Sequence, residues 1–152
     1  MSAAAGAGYL LLAPGHSVPP GPFADDPRCA KVVSAAPETL LGRDRDRVSG
    51  AGAAAWGDAS IVLRCGVEPL APTTHLCLNV DGVDWVLDEA GGDGGGTRVL
   101  TTYGRTPAVE VTVEGGDGLD GGVLVALNRS LRDIPQQAKC LDMQDALPAQ
   151  PS

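Results

Sequence analysis

Aromatic side chains are scarce: Tyr9, Phe23, Trp56, Trp85 and Tyr103 make up 3% of the chain. Lysine is scarcer, with Lys31 and Lys139 alone, and 11 basic against 19 acidic residues leave a net charge of −8. Nucleic acid is bound by basic stripes and by aromatic platforms on which bases stack, and the sequence offers neither. It also lacks a polybasic face for anionic lipid. There is no Gly-x-Ser-x-Gly, no Walker A loop and no His-Glu-x-x-His, so nucleotide and metalloprotease chemistry lack their carriers. Histidine is limited to His16 and His75. His16 sits in a Pro-rich stretch that cannot preorganise a base, and His75 reads as a surface residue opening a strand, so a Ser/His/Asp triad has no well-held imidazole. The sequence thus offers no catalytic residue and no cofactor site, and a non-enzyme is the expectation.

What is present suffices for one folded domain: 152 residues, 43% of them hydrophobic, with 21 Gly and 12 Pro to punctuate turns. The cysteines are Cys29, Cys65, Cys77 and Cys140, which allow three connectivities. A zinc knuckle wants a close pair of ligands, and no Cys-x-x-Cys occurs. Two disulfides in an oxidising compartment are the expectation.

Residues 3–13 form an apolar run too short to span a bilayer, and the first basic residue is Arg28. Residues 1–13 read as the remnant of an export or anchor segment, or as a disordered tail. Residues 14–24 are rich in Pro and Gly and read as an extended linker. The folded domain is expected over residues 25–142, with a disordered tail at 143–152.

Asp26 suits a helix N-cap and Pro27 the first helical position. Cys29, Val32, Val33 and Ala36 then share one apolar face, until Pro37 ends the helix. Residues 43–47 (Arg-Asp-Arg-Asp-Arg) read as a solvated loop, and residues 51–55 as small and flexible. Residues 60–66 alternate as a strand with Ile61, Leu63 and Cys65 on one face. Residues 75–80 and 83–88 flank Asp81-Gly82, a strong hairpin signal. Residues 97–103 and 107–114 predict a second hairpin. Residues 123–133 predict a closing helix with Val123, Leu124, Leu127 and Leu131 inward. The fold class is α+β: a two-layer domain with a mostly antiparallel sheet of about five strands and an N-terminal and a C-terminal helix packed on one face. The faces favour Cys29–Cys65, with Cys77 on the opposite face where the chain after the last helix could bring Cys140.

Several constellations bear on chemistry. Residues 115–120 match the core of a calcium-binding β-roll repeat, making Asp117 and Asp120 a weak calcium candidate; the single copy argues for a plain loop. Asp84, Asp88 and Glu110 could act as paired carboxylates only in a cleft lined by aromatics. Trp56, Trp85 and Tyr103, with Asp84 and Arg105, form the candidate ligand surface. Asn128-Arg129-Ser130 is a formal glycosylation sequon inside a predicted helix and is set aside.

Cys29 in a first helix, Pro37, Leu40-Leu41-Gly42, then Ala55-Trp56 leading to Ile61-Val62-Leu63-Arg64-Cys65-Gly66-Val67, resemble an actinobacterial exported or membrane-anchored family, domain of unknown function 3515. The likeness runs through residues 80–85 and 103–111 to the closing helix. Cys77 and Cys140 look like additions to its pattern. The resemblance implies an extracytoplasmic, secreted or membrane-anchored domain of the cell envelope and brings no chemistry. The expected function is a non-enzymatic interaction module, monomeric, touching the membrane only through its N-terminal segment. Its expected partner is another envelope protein or a cell-wall component. The alternative is a domain that binds or cleaves a small molecule or carbohydrate.

Overall fold

In the computed structural model, which describes residues 15–88, 96–115 and 119–140, the chain runs β1 (His16–Ser17), α1 (Pro27–Ala35), β2 (Thr39–Leu40), β3 (Arg43–Asp44), β4 (Val48–Ser49), β5 (Ala53–Trp56), β6 (Ile61–Val67), β7 (Leu76–Val80), β8 (Val83–Asp88), β9 (Arg98–Thr102), β10 (Ala108–Val113) and α2 (Leu119–Asn128), closing with a 3-10 turn at Arg129–Leu131. The main sheet has six strands in the order β5-β6-β10-β9-β8-β7. Every neighbouring pair in it is antiparallel. It is thus an α+β fold with one more strand than the five expected. The addition is β5, whose alanines gave neither alternation nor β-branched bulk to read. All four of its residues are buried.

Local chemistry sets the element ends. The Asp26 carboxylate accepts the Arg28 N–H at 2.9 Å and caps α1, with Pro27 in the first turn. Ala36 is extended (φ −67°, ψ 143°), as the residue before a proline prefers. The helix's last carbonyls are satisfied from elsewhere: the Arg45 guanidinium donates to Ala36 O at 3.0 Å and Val33 O at 2.9 Å. The same guanidinium lies 6.0 Å from the Trp56 ring centroid. Arg45 is therefore a structural clamp and not part of a solvated loop. Asp81 and Gly82, at φ 47° and 88°, turn β7 into β8.

One sheet face carries Ala54, Trp56, Ile61, Leu63, Cys65, Val109, Val111, Val113, Leu100 and Trp85, all within the main core. Cys29 and Val32 of α1 and Val123, Leu124 and Leu127 of α2 join it. The helices do not form the simple paired layer expected. α1 lies against β6 and the 3-10 turn, while α2 reaches β7 at the far edge of the sheet. The closing helix also starts earlier than its apolar run suggested and gives way to the 3-10 turn at Arg129. Leu131 and Ile134 continue its apolar face into the core.

The second face is crossed by chain at both ends. The stretch expected to be a spacer is docked on the domain. β1 pairs in parallel with β4, Pro19 O accepts from Arg64 Nε at 3.0 Å, and the Phe23 N–H donates to Gly66 O at 2.8 Å. Val18 and Ala24 are buried. Gly66 has φ +94°, and a Cβ there would run into the Phe23 carbonyl carbon, so only glycine lets the segment approach.

Candidate functional site

At the β7–β8 end of the second face, the chain after the 3-10 turn doubles back over the sheet. Residues 134–140 form a strap anchored by Ile134, which is fully buried. Beneath the strap lies Asp84 of β8, 6% exposed. β-strand alternation turns it away from Trp85 and onto the second face, opposite Asn79 of β7. Its Oδ1 accepts Asn79 Nδ2 at 2.7 Å. Its Oδ2 accepts Gln136 Nε2 at 3.0 Å and the Cys140 N–H at 3.0 Å. A buried carboxylate needs such donors, because desolvation without them costs several kcal/mol.

Arg105, on the β9–β10 connection, completes the cluster. Its Nη1 donates to Ile134 O and its Nη2 contacts Gln136 Oε1 at 3.5 Å. Burial pushes its guanidinium below the ordinary range, opposed by the nearby Asp84 carboxylate. Its Nε is buried without a partner among the described residues. Tyr103 is 8% exposed, and its N–H donates to Asp84 O at 2.9 Å. Gly104 O accepts the Gln137 N–H at 2.7 Å, tying the strap to the same turn.

The strap ends in a disulfide. Cys77 of β7 bonds Cys140, with Cα atoms 6.2 Å apart. Cys29 of α1 bonds Cys65 of β6, with Cα atoms 5.3 Å apart. The two bridges sit in different surroundings. Cys29 and Cys65 are 0% and 1% exposed, whereas Cys77 and Cys140 are half-buried at a small recess lined by Pro72, Thr73, His75 and Tyr103. Cys77, Cys140 and Asp84 could place ligand atoms within 4.8 Å of one another, but sulfurs joined in a disulfide offer no thiolate to a metal.

The candidate ligand surface divides under this geometry. Asp84, Arg105 and Tyr103 are brought together, largely covered by the strap. Trp56 and Trp85 are not exposed at all. Trp56 Nε1 donates to Pro37 O at 2.8 Å and Trp85 Nε1 to Asn128 Oδ1 at 3.2 Å, which makes both of them satisfied core residues and not platforms. Glu110 pairs with Arg64 at 3.0 Å, so it has a partner of its own and is not joined to Asp84. His75 is exposed, and His16 pairs with Asp58 at 3.0 Å. Asp117 and the side chain of Asp120 lie outside the described residues, as does the glycine-rich stretch 89–95. Sequence reading missed Gln136 and Asn79. No local pattern marks a glutamine that will meet a carboxylate 52 residues away.

A second feature lies at the opposite edge of the sheet. Gly52 O accepts from the Cys65 N–H, and Ala55 O accepts from the Asp46 N–H on the other side. Alternation then directs the Ala53 backbone away from β6, where it has no partner among the described residues. It faces a groove of about 440 Å³ bounded by Ala30 and Val33 of α1 and by Arg45, Val48 and Gly50.

No helix among the described residues is long and apolar enough to cross a membrane. Nothing among curated proteins or solved structures matches the chain. A family model does match, over residues 14–139. The match takes in the N-terminal crossing segment, the whole six-stranded sheet and the strap up to Lys139, and on it the chain belongs to the family described as Protein of unknown function (DUF3515).

Proposed function

We propose that this chain is a non-enzymatic, extracytoplasmic interaction domain of the cell envelope that captures an extended peptide segment of a partner protein along β5. The observation that carries the reading is the open stretch of β5 edge. The Ala53 N–H and C=O point into a groove walled by small and apolar residues on one side and by Arg45 and Asp46 on the other. An unpaired strand edge beside a groove is the arrangement to which an added strand contributes main-chain hydrogen bonds, with wall pockets selecting alternate side chains. Ala30 and Gly50 line it with little side-chain bulk, which leaves room for the incoming side chains.

Two further observations support it. The two disulfides favour an oxidising compartment, where such bonds persist. The groups that a carbohydrate-cleaving alternative would use are already engaged: the tryptophans in the core, Asp84 under the strap and Glu110 on Arg64.

The test is selection from a display library of random extended peptides against the purified, oxidised protein. Enriched peptides should bind the wild type and lose about tenfold or more in affinity against Ala53→Pro and Val33→Glu. Ala53 is buried and Val33 half-buried, so a melting curve of each variant checks that it is folded before its affinity is read. No enrichment, or equal binding to the variants, overturns the reading.

A further inference from the structure

We propose that Cys77–Cys140 is a thiol-exchange site, and that its reduction by a dithiol releases the strap and opens the Asp84–Arg105 cluster to solvent. The proposal stands apart from the β5 groove, which is at the other edge of the sheet.

Access separates the two bridges. Cys29 and Cys65 are enclosed in the core beneath α1. Cys77 and Cys140 are half-buried at a recess whose other walls include the exposed Pro72, Thr73 and His75. Exchange needs an attacking thiolate to reach a sulfur, so a reductant meets only the second bridge without unfolding the domain.

What else holds the strap is polar. Beyond Ile134, no residue of the strap is buried: Gln136 and Cys140 are half-buried, and Pro135, Gln137, Ala138 and Lys139 are exposed. The remaining ties are hydrogen bonds to Asp84 and Gly104 and the contact with Arg105 Nη2. Each such bond has a modest net worth of about 1 kcal/mol, because water replaces it when the segment lifts. The disulfide keeps the partners at high effective concentration, and without it those few bonds face the chain entropy of the whole segment. On release Asp84 keeps the Asn79 amide and loses the two donors that the strap supplies. Ile134 stays in the core, so the strap swings from Pro135.

The chemistry balances as ordinary exchange. One thiolate of the dithiol attacks a sulfur of the bridge, forming a mixed disulfide and displacing the other sulfur as a thiolate. The donor's second thiolate attacks its own sulfur in the mixed disulfide and leaves as a cyclic or intramolecular disulfide. Two electrons pass to Cys77 and Cys140, and the two protons of the donor end on their sulfurs.

The experiment treats the full oxidised chain with graded dithiothreitol under native conditions. Free thiols are trapped by alkylation, and amide exchange is read in parallel. Cys77 and Cys140 should be alkylated while Cys29 and Cys65 stay protected. Protection should fall over residues 135–140 and remain over β6 and β10. A Cys77→Ser/Cys140→Ser double variant should show the same exposed strap with no reductant; the dithiothreitol titration decides the matter if that variant does not fold. Reduction of both bridges together overturns the proposal, as does selective reduction that leaves residues 135–140 as protected as in the oxidised protein.

Discussion

Asp84 and Gln136 bond each other twice across 52 residues of sequence: Gln136 Nε2 donates to Asp84 Oδ2 at 3.0 Å, and the Asp84 N–H donates to Gln136 Oε1 at 3.4 Å. The glutamine therefore satisfies both the side chain and the backbone of a buried carboxylate on the second face. Gln136→Ala should destabilise the protein by about 1–3 kcal/mol, the cost of leaving buried polar groups without partners. Gln136→Glu should lose more near neutral pH, because it sets a second carboxylate against Asp84. That excess loss should shrink as pH falls through the carboxylate range. Urea denaturation at two pH values measures it. A Glu variant as stable as wild type at neutral pH would contradict the arrangement.

The Cys29–Cys65 bridge closes a loop of 36 residues within the core. On the loop-entropy account, removing it costs about 4 kcal/mol. A Cys29→Ala/Cys65→Ala variant should therefore unfold at much lower urea. On the same account the Cys77–Cys140 bridge, with a sequence separation of 63, should be worth about as much in global stability. The two variants should differ in where native-state amide exchange rises: over residues 135–140 for Cys77→Ser/Cys140→Ser, and over α1 and β6 for Cys29→Ala/Cys65→Ala.

Asn128 joins α2 to the far hairpin. Its Oδ1 accepts Trp85 Nε1 at 3.2 Å and its Nδ2 donates to Val80 O at 2.7 Å. Asn128→Leu should cost about 1–3 kcal/mol, because an indole N–H and a carbonyl lose their partner together. The same contacts leave no room for a glycan at this sequon. The checks are denaturation followed by tryptophan emission and the shift of the Trp85 indole proton.

How far the sequence was legible follows from the range of each interaction. Asp81-Gly82, the Asp26 cap and the alternation of Ile61, Leu63 and Cys65 are local signals, and the hairpin, the helix start and the inward face lie where those signals point. β5 was illegible because Ala53–Ala55 carry no strand preference of their own; pairing with β6, and the Asp46 N–H bonded to Ala55 O on the other side, make them a strand. The docking of residues 16–24 depends on Gly66 and Gly52 opening space at the other side of the contact, which composition does not report. At the candidate site, Asp84, Arg105 and Tyr103 were visible as residue types. Their enclosure depends on Gln136 and Cys140, far along the chain, and on tryptophans drawn into the core.

Asp26 gives the fold a pH-dependent contact. The Arg28 side chain, and next its backbone N–H, hold the Asp26 carboxyl below the ordinary range. A carboxylate with a depressed folded-state pKa contributes stability above its unfolded value and loses it as pH falls through the folded value. Asp26→Asn should therefore melt below wild type at neutral pH, and the gap should close as pH falls beneath the ordinary carboxylate range. A gap that is constant with pH would show that the Asp26 charge contributes nothing to it.

Gly104 and Gly82 together separate backbone strain from strap contact. Both have left-handed φ, +74° and +88°, where an L side chain is disfavoured by about 1–2 kcal/mol. Their surroundings differ. A Cβ at Gly82 meets nothing within 4 Å, while one at Gly104 runs into the Ala138 carbonyl of the strap. Gly82→Ala should thus cost only the backbone term, with residues 135–140 as protected as in wild type. Gly104→Ala should cost that term and also break the Gln137–Gly104 hydrogen bond, adding about 1 kcal/mol. Its amide exchange over 135–140 should rise even with Cys77–Cys140 oxidised, because the clash lifts the middle of the strap and leaves both ends fastened. Equal stability loss in the two variants, with no change in exchange over the strap, would mean that Ala138 yields freely and that the turn at Gly104 does not hold the strap down.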